Sequence, residues 1–353
     1  MKSNLSRLSG LLTILFLTVA SAIAADHHAV FVLTSTNNTS GNEVEVFKLK
    51  TEGTPSLTLV KSLPTGGNGG ASGNAGAVQF HDFYGAVVNY GSNNFTRLVR
   101  TEDSIAIDGT VALAPGCTQP VSVALTDSHA FVLGGNCAES HAWPWGHVDG
   151  GVVRLSDNSG AQIASGRTWA ALTLSSGSVL QLPLERDGAL TGGSSSVTLP
   201  SDANNTPLGA AFWGDTLGFN PAHSPDSFAL VDKAGDVFPV LGPQPAYPTN
   251  APCWLAKGPG NIWFTGNSPG QAISIFFSDS QGGAFYKSVS VLGTPTDVSV
   301  SRDNQWLAVI YTASDGSGGR IDVFSIDSYG DISLAATSPA IGVPSFNGVA
   351  ISQ

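Results

Sequence analysis

The sequence predicts an all-β fold, a seven-bladed β-propeller of four-stranded antiparallel blades, closed by the C-terminal strand joining the N-terminal blade. Three observations carry that expectation. Prolines recur at Pro120, Pro207, Pro252, Pro295 and Pro344, with gaps of 87, 45, 43 and 49 residues, and each opens a short apolar segment. The first gap spans two periods, and a start one period earlier at Ala75 completes seven starts spaced by about 45 residues, a propeller spacing. The composition agrees: 42 Gly, 20 Pro and 12% charged residues, with no long helical periodicity beyond the N-terminus.

The repeat is clearest after Pro295. Thr296 to Ser301 alternates, Arg302 to Gln305 turns, and Trp306 to Tyr311 is an apolar run. A Gly/Ser loop, Ala313 to Gly319, leads to Ile321–Ile326, and the turn Asp327 to Gly330 introduces Ile332–Ala336. Such a sheet cannot bury both faces alone, whereas radial stacking of seven does. At the N-terminus His28–Thr34, Glu43–Leu49 and Leu57–Leu63 form three strands without an inner one, which Gly348–Ile351 supplies from the C-terminus. Between Pro120 and Pro207 the best start is Ala161–Ser165. It crowds the preceding blade, which is therefore expected to have a reduced or absent fourth strand.

Residues 1–24 read as a signal peptide and 25–353 as one propeller domain. Lys2 and Arg7 precede an apolar core from Leu11 to Ala20, and Ala22 and Ala24 are small residues at cleavage spacing. The core is short for the alternative, a membrane anchor. Cleavage leaves 13 basic against 26 acidic residues, which argues against nucleic acid or an anionic membrane surface as partner. A secreted location is expected, periplasmic in a Gram-negative source, with no membrane association after cleavage and a monomeric state.

Antiparallel register between Val121–Leu125 and His129–Gly134 places Cys117 almost opposite Cys137, within disulfide reach, which suits an exported protein. Cys253 reads as a buried small apolar residue. Asn37, Asn38, Asn94 and Asn204 carry the glycosylation pattern, which has meaning only in a eukaryotic source.

The blade plan sorts polar residues onto two faces. The loops from strand two to three and the links between blades open on one, here the link face; the turns from strand one to two and three to four open on the other, the hairpin face. His81 and His129 fall on the hairpin face. The stretch Asn136 to Gly150 (NCAESHAWPWGHVDG) is expected on the link face as a loop between strands two and three. His223, Arg320 and Tyr247 are assigned there with it.

The segments AGAVQFHDFYGAVVNYGSNN from Ala75, TQPVSVALTDSHAFVLGGN from Thr118, TPLGAAFWGDTLGFN from Thr206, APCWLAKGPGNIWFTGN from Ala251 and the unit from Pro295 resemble the repeats of seven-bladed lactonase-like propellers, a family similar to bacterial phosphogluconolactonases and fungal carboxymuconate cyclases. The resemblance implies a lactone hydrolase or muconate-cyclase-like isomerase acting at the channel mouth. That chemistry needs a general base or acid and an oxyanion partner. His141, His147 and His223 are the candidate bases, Arg154, Arg167 or Arg320 the cations, and Trp143, Trp145 and Tyr247 the ligand-binding aromatics. The Arg-Gln and paired-His stretch of the phosphogluconolactonase branch is absent. No cofactor is expected; the family's calcium sites are matched only by Asn74, Asn205, Asn250 and Asn347, which no carboxylate joins. No zinc spacing, phosphate loop or serine-nucleophile motif stands out. The alternative is a non-catalytic secreted propeller that binds a protein, glycan or small extracellular ligand through its loops.

Overall fold

A computed structural model describes residues 29–71, 75–144, 146–201, 203–223, 228–241, 251–279, 282–341 and 346–353. The segment read as a signal peptide, Pro344, Trp145 and Tyr247 lie outside these residues. The described chain forms seven blades around a channel, and the inner strands are Asn347–Ser352, Val78–His81, Ser122–Leu125, Gly160–Ser165, Pro207–Trp213, Pro252–Lys257 and Gly293–Val300. We number these blades one to seven in that order. All seven inner strands begin within three residues of the predicted repeat starts, and where the start is a proline this fits its tolerance for the first position of a strand or its edge.

Blade one joins the two ends of the chain. Asn347–Ser352 pairs antiparallel with Val30–Ser35, which continues into Glu43–Lys50 and Ser56–Pro64. The seam is apolar: Val32, Phe47, Val349 and Ile351 of blade one pack on Ile310 and Ile321 of blade seven. Each such side chain contributes roughly 1.5–3 kcal/mol when fully buried, so the seams between blades supply most of the stability. Polar bonds set the register. The buried Arg100 of blade two donates to Ser352 Oγ at 2.9 Å and to the Ala29 carbonyl, holding the last strand and the start of the first together.

The fourth strand expected to be missing is present, and the irregularity falls one blade later. Blade three has its own outer strand, Val148–Arg154, paired with Cys137–Ala142. Blade four has the reduced one, Ser195–Val197. The chain between them reaches back so that Leu190–Thr191 adds a parallel fifth strand against Gly150 and Gly151 of blade three. A Cβ at Gly150 would stand 2.4 Å from the Leu190 carbonyl oxygen and one at Gly151 2.4 Å from Gly192, so this approach requires the two glycines. Blades five and six share a similar parallel contact, Val240–Leu241 against Gly283–Ala284.

This register also moves Asn136 to Gly150. Cys137–Ala142 is the third strand of blade three and not a loop, so the turn from strand three to four lies between Ala142 and Val148. That turn opens on the hairpin face, opposite to the expectation. Cys117 and Cys137 do form a disulfide, with Cα atoms 5.6 Å apart and a sequence separation of 20. Closing a loop of that size contributes about 3 kcal/mol. Reduction under native conditions, or Cys117→Ser with Cys137→Ser, is therefore expected to lower unfolding free energy by about that amount in denaturant titrations; an unchanged midpoint would contradict the structural role.

Candidate functional site

The sequence-predicted residues do not converge. His141 lies inside blade three, fully buried, with Nε2 at 2.8 Å from Glu139 Oε1 and its ring edge-on to Phe95 at 5.0 Å. Glu139, equally buried, accepts the Ala114 amide through both oxygens at 3.1 and 3.0 Å. Because the two are separated by one residue on a strand, both side chains face blade two, and the carboxylate's partners come from there. His141 is thus part of a seam, with no access to a ligand.

His147 is exposed on the hairpin-face turn, whereas His223 is exposed on the link face, where its Nδ1 meets Thr206 Oγ1 at 3.1 Å. Arg320 opens the third strand of blade seven on the link face and donates to Ser317 Oγ at 3.3 Å. Arg154 is committed to the Pro115 carbonyl and Cys117 Sγ. Trp143 is half-buried against Tyr84, ring centroids 3.7 Å apart, and its backbone amide donates to the Ser128 carbonyl at 2.7 Å; it wedges blade three against blade two.

Asn37 is also removed as a glycan acceptor in the folded protein. Its amide donates to Ala71 and accepts from Gly70 and Ala71, and it is buried, while Asn38 and Asn204 are exposed and Asn94 is half-buried. Cys253 is a buried free thiol donating to the Ala251 carbonyl, its pKa pushed up by burial, as expected of an inert cysteine.

What the ring does bring together lies in the channel. A cavity of about 220 Å³ is lined by inner strands of blades two to seven, with Gln79, Gln162, Ser165, Lys257, Asp297 and Ser299 as its polar side chains. Most of the lining belongs to the C-terminal halves of those strands, so the cavity is reached from the hairpin face. At its floor Gly76, with φ +69°, leaves space that a Cβ would fill, at 3.0 Å from Ser122 Oγ and 3.3 Å from the amide nitrogens of Gln79 and Gln162. Asp297 accepts from the Gly76 and Val349 amides at 3.1 Å each and from Val298 at 2.9 Å. Burial outweighs those three donors and pushes its carboxyl up to about 7.

Lys257 stands nearer the mouth. Its ammonium donates to the Gly258 and Gly260 carbonyls at 2.7 and 2.6 Å and lies 5.3 and 5.2 Å from the ring centroids of Trp213 and Trp263. Desolvation lowers it to about 8. Trp213, 46% exposed, stands beside that cation, and Phe83, in the first turn of blade two, is 59% exposed on the same face. Arg302 pairs with Asp82 across the joint of blade one, linking the first turns of blades seven and two.

A groove of about 450 Å³ adjoins this mouth through Leu125 and Ser165, on blades two to five. It holds the His81–Asp127 pair at 2.8 Å, Ser128 and Arg167. His81 and His129, assigned to the hairpin face from the sequence, both lie on the face of this groove; a further cavity of about 280 Å³, with Tyr90, Gln119, Asn158 and Ser175 in its lining, opens on the link face. A larger cavity of about 730 Å³ sits at the outer rim of blades four and five, and Asp236 is its one ionisable lining residue, so no chemistry converges there.

Metal ligands are sparse. Cys117, Cys137 and Glu139 lie close together, but the disulfide consumes both thiols, and in the group His81, Asp82 and Asp127 one carboxylate is already paired with Arg302. Of the asparagines that suggested calcium, Asn74 and Asn250 lie outside the described residues, and Asn205 gives its amide to His223 and its oxygen to Thr206. Asn347 is buried at the start of the closing strand.

No family model and no curated protein matches the chain. Solved structures do share its fold. A protein from Lactobacillus plantarum superimposes with a TM-score of 0.68 at 16% identity, covering 92% of this chain and 99% of that one. Candidate 6-phosphogluconolactonases from Bacteroides fragilis (TM-score 0.64, 11% identity, 94% and 99% covered) and Bacteroides uniformis (0.63, 11%, 90% and 98%) are similar throughout. The class defined is thus a seven-bladed β-propeller of four-stranded antiparallel blades.

Asp297 makes stability depend on pH. Because its folded pKa is raised, the contribution is full below the ordinary carboxylate range and is lost as pH rises through about 7. Between pH 5 and 8 the unfolding free energy is expected to fall by about 2–3 kcal/mol from this group, and Asp297→Asn to flatten that slope. Equal slopes in denaturant titrations of both proteins would contradict the assignment.

Proposed function

We propose that the protein is a secreted, monomeric propeller that binds a small polar ring, of the lactone and sugar-acid class, at the hairpin-face mouth of its channel. The single observation that carries this is the cavity in which six inner strands present two amides, two hydroxyls, a carboxyl and an ammonium beneath exposed Trp213. At about 220 Å³ it lies below the roughly 300–1,000 Å³ of sites for drug-sized ligands, so it suits a single ring. Exposed aromatics flanked by hydrogen-bonding groups suit a sugar-like ring with one apolar face. The candidate 6-phosphogluconolactonases among the similar structures are named for that ligand class.

Binding rather than turnover is favoured at this cavity. Asp297 is engaged by three backbone amides and Lys257 by two carbonyls, so both ionisable groups serve the fold before any ligand arrives. Export is supported by the signal-like N-terminus and by the disulfide; among the described residues no helix is long and apolar enough to cross a membrane. Asn38 and Asn204 are the exposed glycan acceptors in a eukaryotic source.

Calorimetric titration with D-glucono-1,5-lactone, gluconate and aromatic γ-lactones tests the assignment. At least one is expected to bind, and Lys257→Met, which keeps the stem between the two tryptophans, to weaken it about tenfold, the loss of one charged hydrogen bond. No heat with any of them, or identical affinity in Lys257→Met, would sink it.

A further inference from the structure

The groove beside the channel mouth contains an arrangement that the channel site does not use. Ser128 is exposed in the turn between the first and second strands of blade three and lines this groove. Its Oγ lies 2.9 Å from His129 Nδ1, and His129 Nε2 lies 3.2 Å from Asp149 Oδ2. His129 is 3% exposed and Asp149 37% exposed, so the imidazole is sheltered between a solvent-facing hydroxyl and an anchored carboxylate. The carboxylate takes the proton on Nε2, which leaves Nδ1 as the acceptor facing the hydroxyl.

The backbone holds this geometry from both sides. Thr126 Oγ1 accepts the His129 amide at 3.0 Å, and the Ser128 carbonyl accepts the Trp143 amide at 2.7 Å. Asp149 is placed by register, since Ser140 pairs with it across the third and fourth strands. Gly188 closes over the pair: a Cβ there would stand 3.1 Å from Ser128 Oγ and 3.0 Å from His129 Nδ1. Leu125, Phe131 and Phe212 give the groove apolar walls, and Arg167 adds a cation on the neighbouring blade.

We infer that Ser128, His129 and Asp149 form a nucleophilic relay that hydrolyses carboxylic esters, lactones included, with the acyl group lying in the groove of about 450 Å³. Ser128 Oγ bonds to the acyl carbon as its proton passes to His129 Nδ1. The carbon–oxygen bond to the alcohol then breaks, and the departing alkoxide takes that proton. Water repeats the sequence on the acyl-enzyme: its proton goes to Nδ1, its oxygen to the acyl carbon, and Ser128 leaves with the proton restored. Arg167 faces the charge that develops on the carbonyl oxygen. Asp149 touches no substrate and is a positioning residue. The inference stands apart from ligand binding in the channel, because it requires neither Lys257 nor Asp297.

Two readouts test it on the full-length protein. A fluorophosphonate probe followed by peptide mass spectrometry is expected to label Ser128, and p-nitrophenyl acetate and butyrate to be hydrolysed. Ser128→Ala, an exposed position that leaves the fold intact, is expected to abolish labelling and reduce turnover about 1,000-fold. Asp149→Asn is expected to slow labelling about 100-fold at an unchanged melting temperature. His223→Ala, at an exposed histidine on the opposite face, is expected to leave both readouts unchanged. No labelling of Ser128, or turnover that persists in Ser128→Ala, would overturn the inference.

Discussion

The Asp297 carboxylate ties blade seven to the amides of Val349 in blade one and Gly76 at the entrance to blade two. Blade one is where the chain's ends meet, and blades seven and two flank it. A circular fold has no covalent bond there, so the closing strand must be held by side chains and by the apolar seam behind it. Placing a carboxyl in that position is costly, as its elevation to about 7 shows. The arrangement persists because a single group satisfies three otherwise buried amide donors. Similar links continue around the channel: Ser122 Oγ accepts from Ile163, Gln162 Oε1 from Ala210, and the Trp254 indole donates to Pro295.

Once the ring is closed, strand direction decides what each face can offer. Every inner strand enters from the link face and ends on the hairpin face, so its last residues and the tight turn that follows surround one mouth. Leu125, Ser165, Trp213, Lys257 and Val300 are such residues. The cation, the exposed aromatic rings, the channel cavity and the groove with Ser128 therefore share a face. His223 and Arg320 belong to the other.

Periodicity made the blades and the disulfide legible in the sequence, because both depend on local spacing: a proline at each inner strand, and a register that sets Cys117 against Cys137. The polar stretch CAESHA was misleading for a physical reason. Glu139 and His141 make a strand look like a loop, yet Glu139 bonds both His141 Nε2 and the Ala114 amide, a partner that no local pattern contains. The Leu190–Thr191 strand was too short to leave a pattern, and it changed which blade lost its outer strand. His129 looked like a plain turn residue. Its significance depends on Asp149, brought beside it by pairing of the third and fourth strands, and the adjacency of Ser128 and His129 with an Asp twenty residues on was the faint signal that existed.

The central claim is that ligands meet this propeller on its hairpin face. Hydrogen–deuterium exchange with and without saturating D-glucono-1,5-lactone tests it most directly, because it reads both faces in one experiment. Protection is expected in the first turns of blades three to six, around residues 126–128, 166–168, 214–215 and 258–261, with link-face segments unchanged. Protection confined to the link face, around residues 203–206 and 313–320, would contradict it.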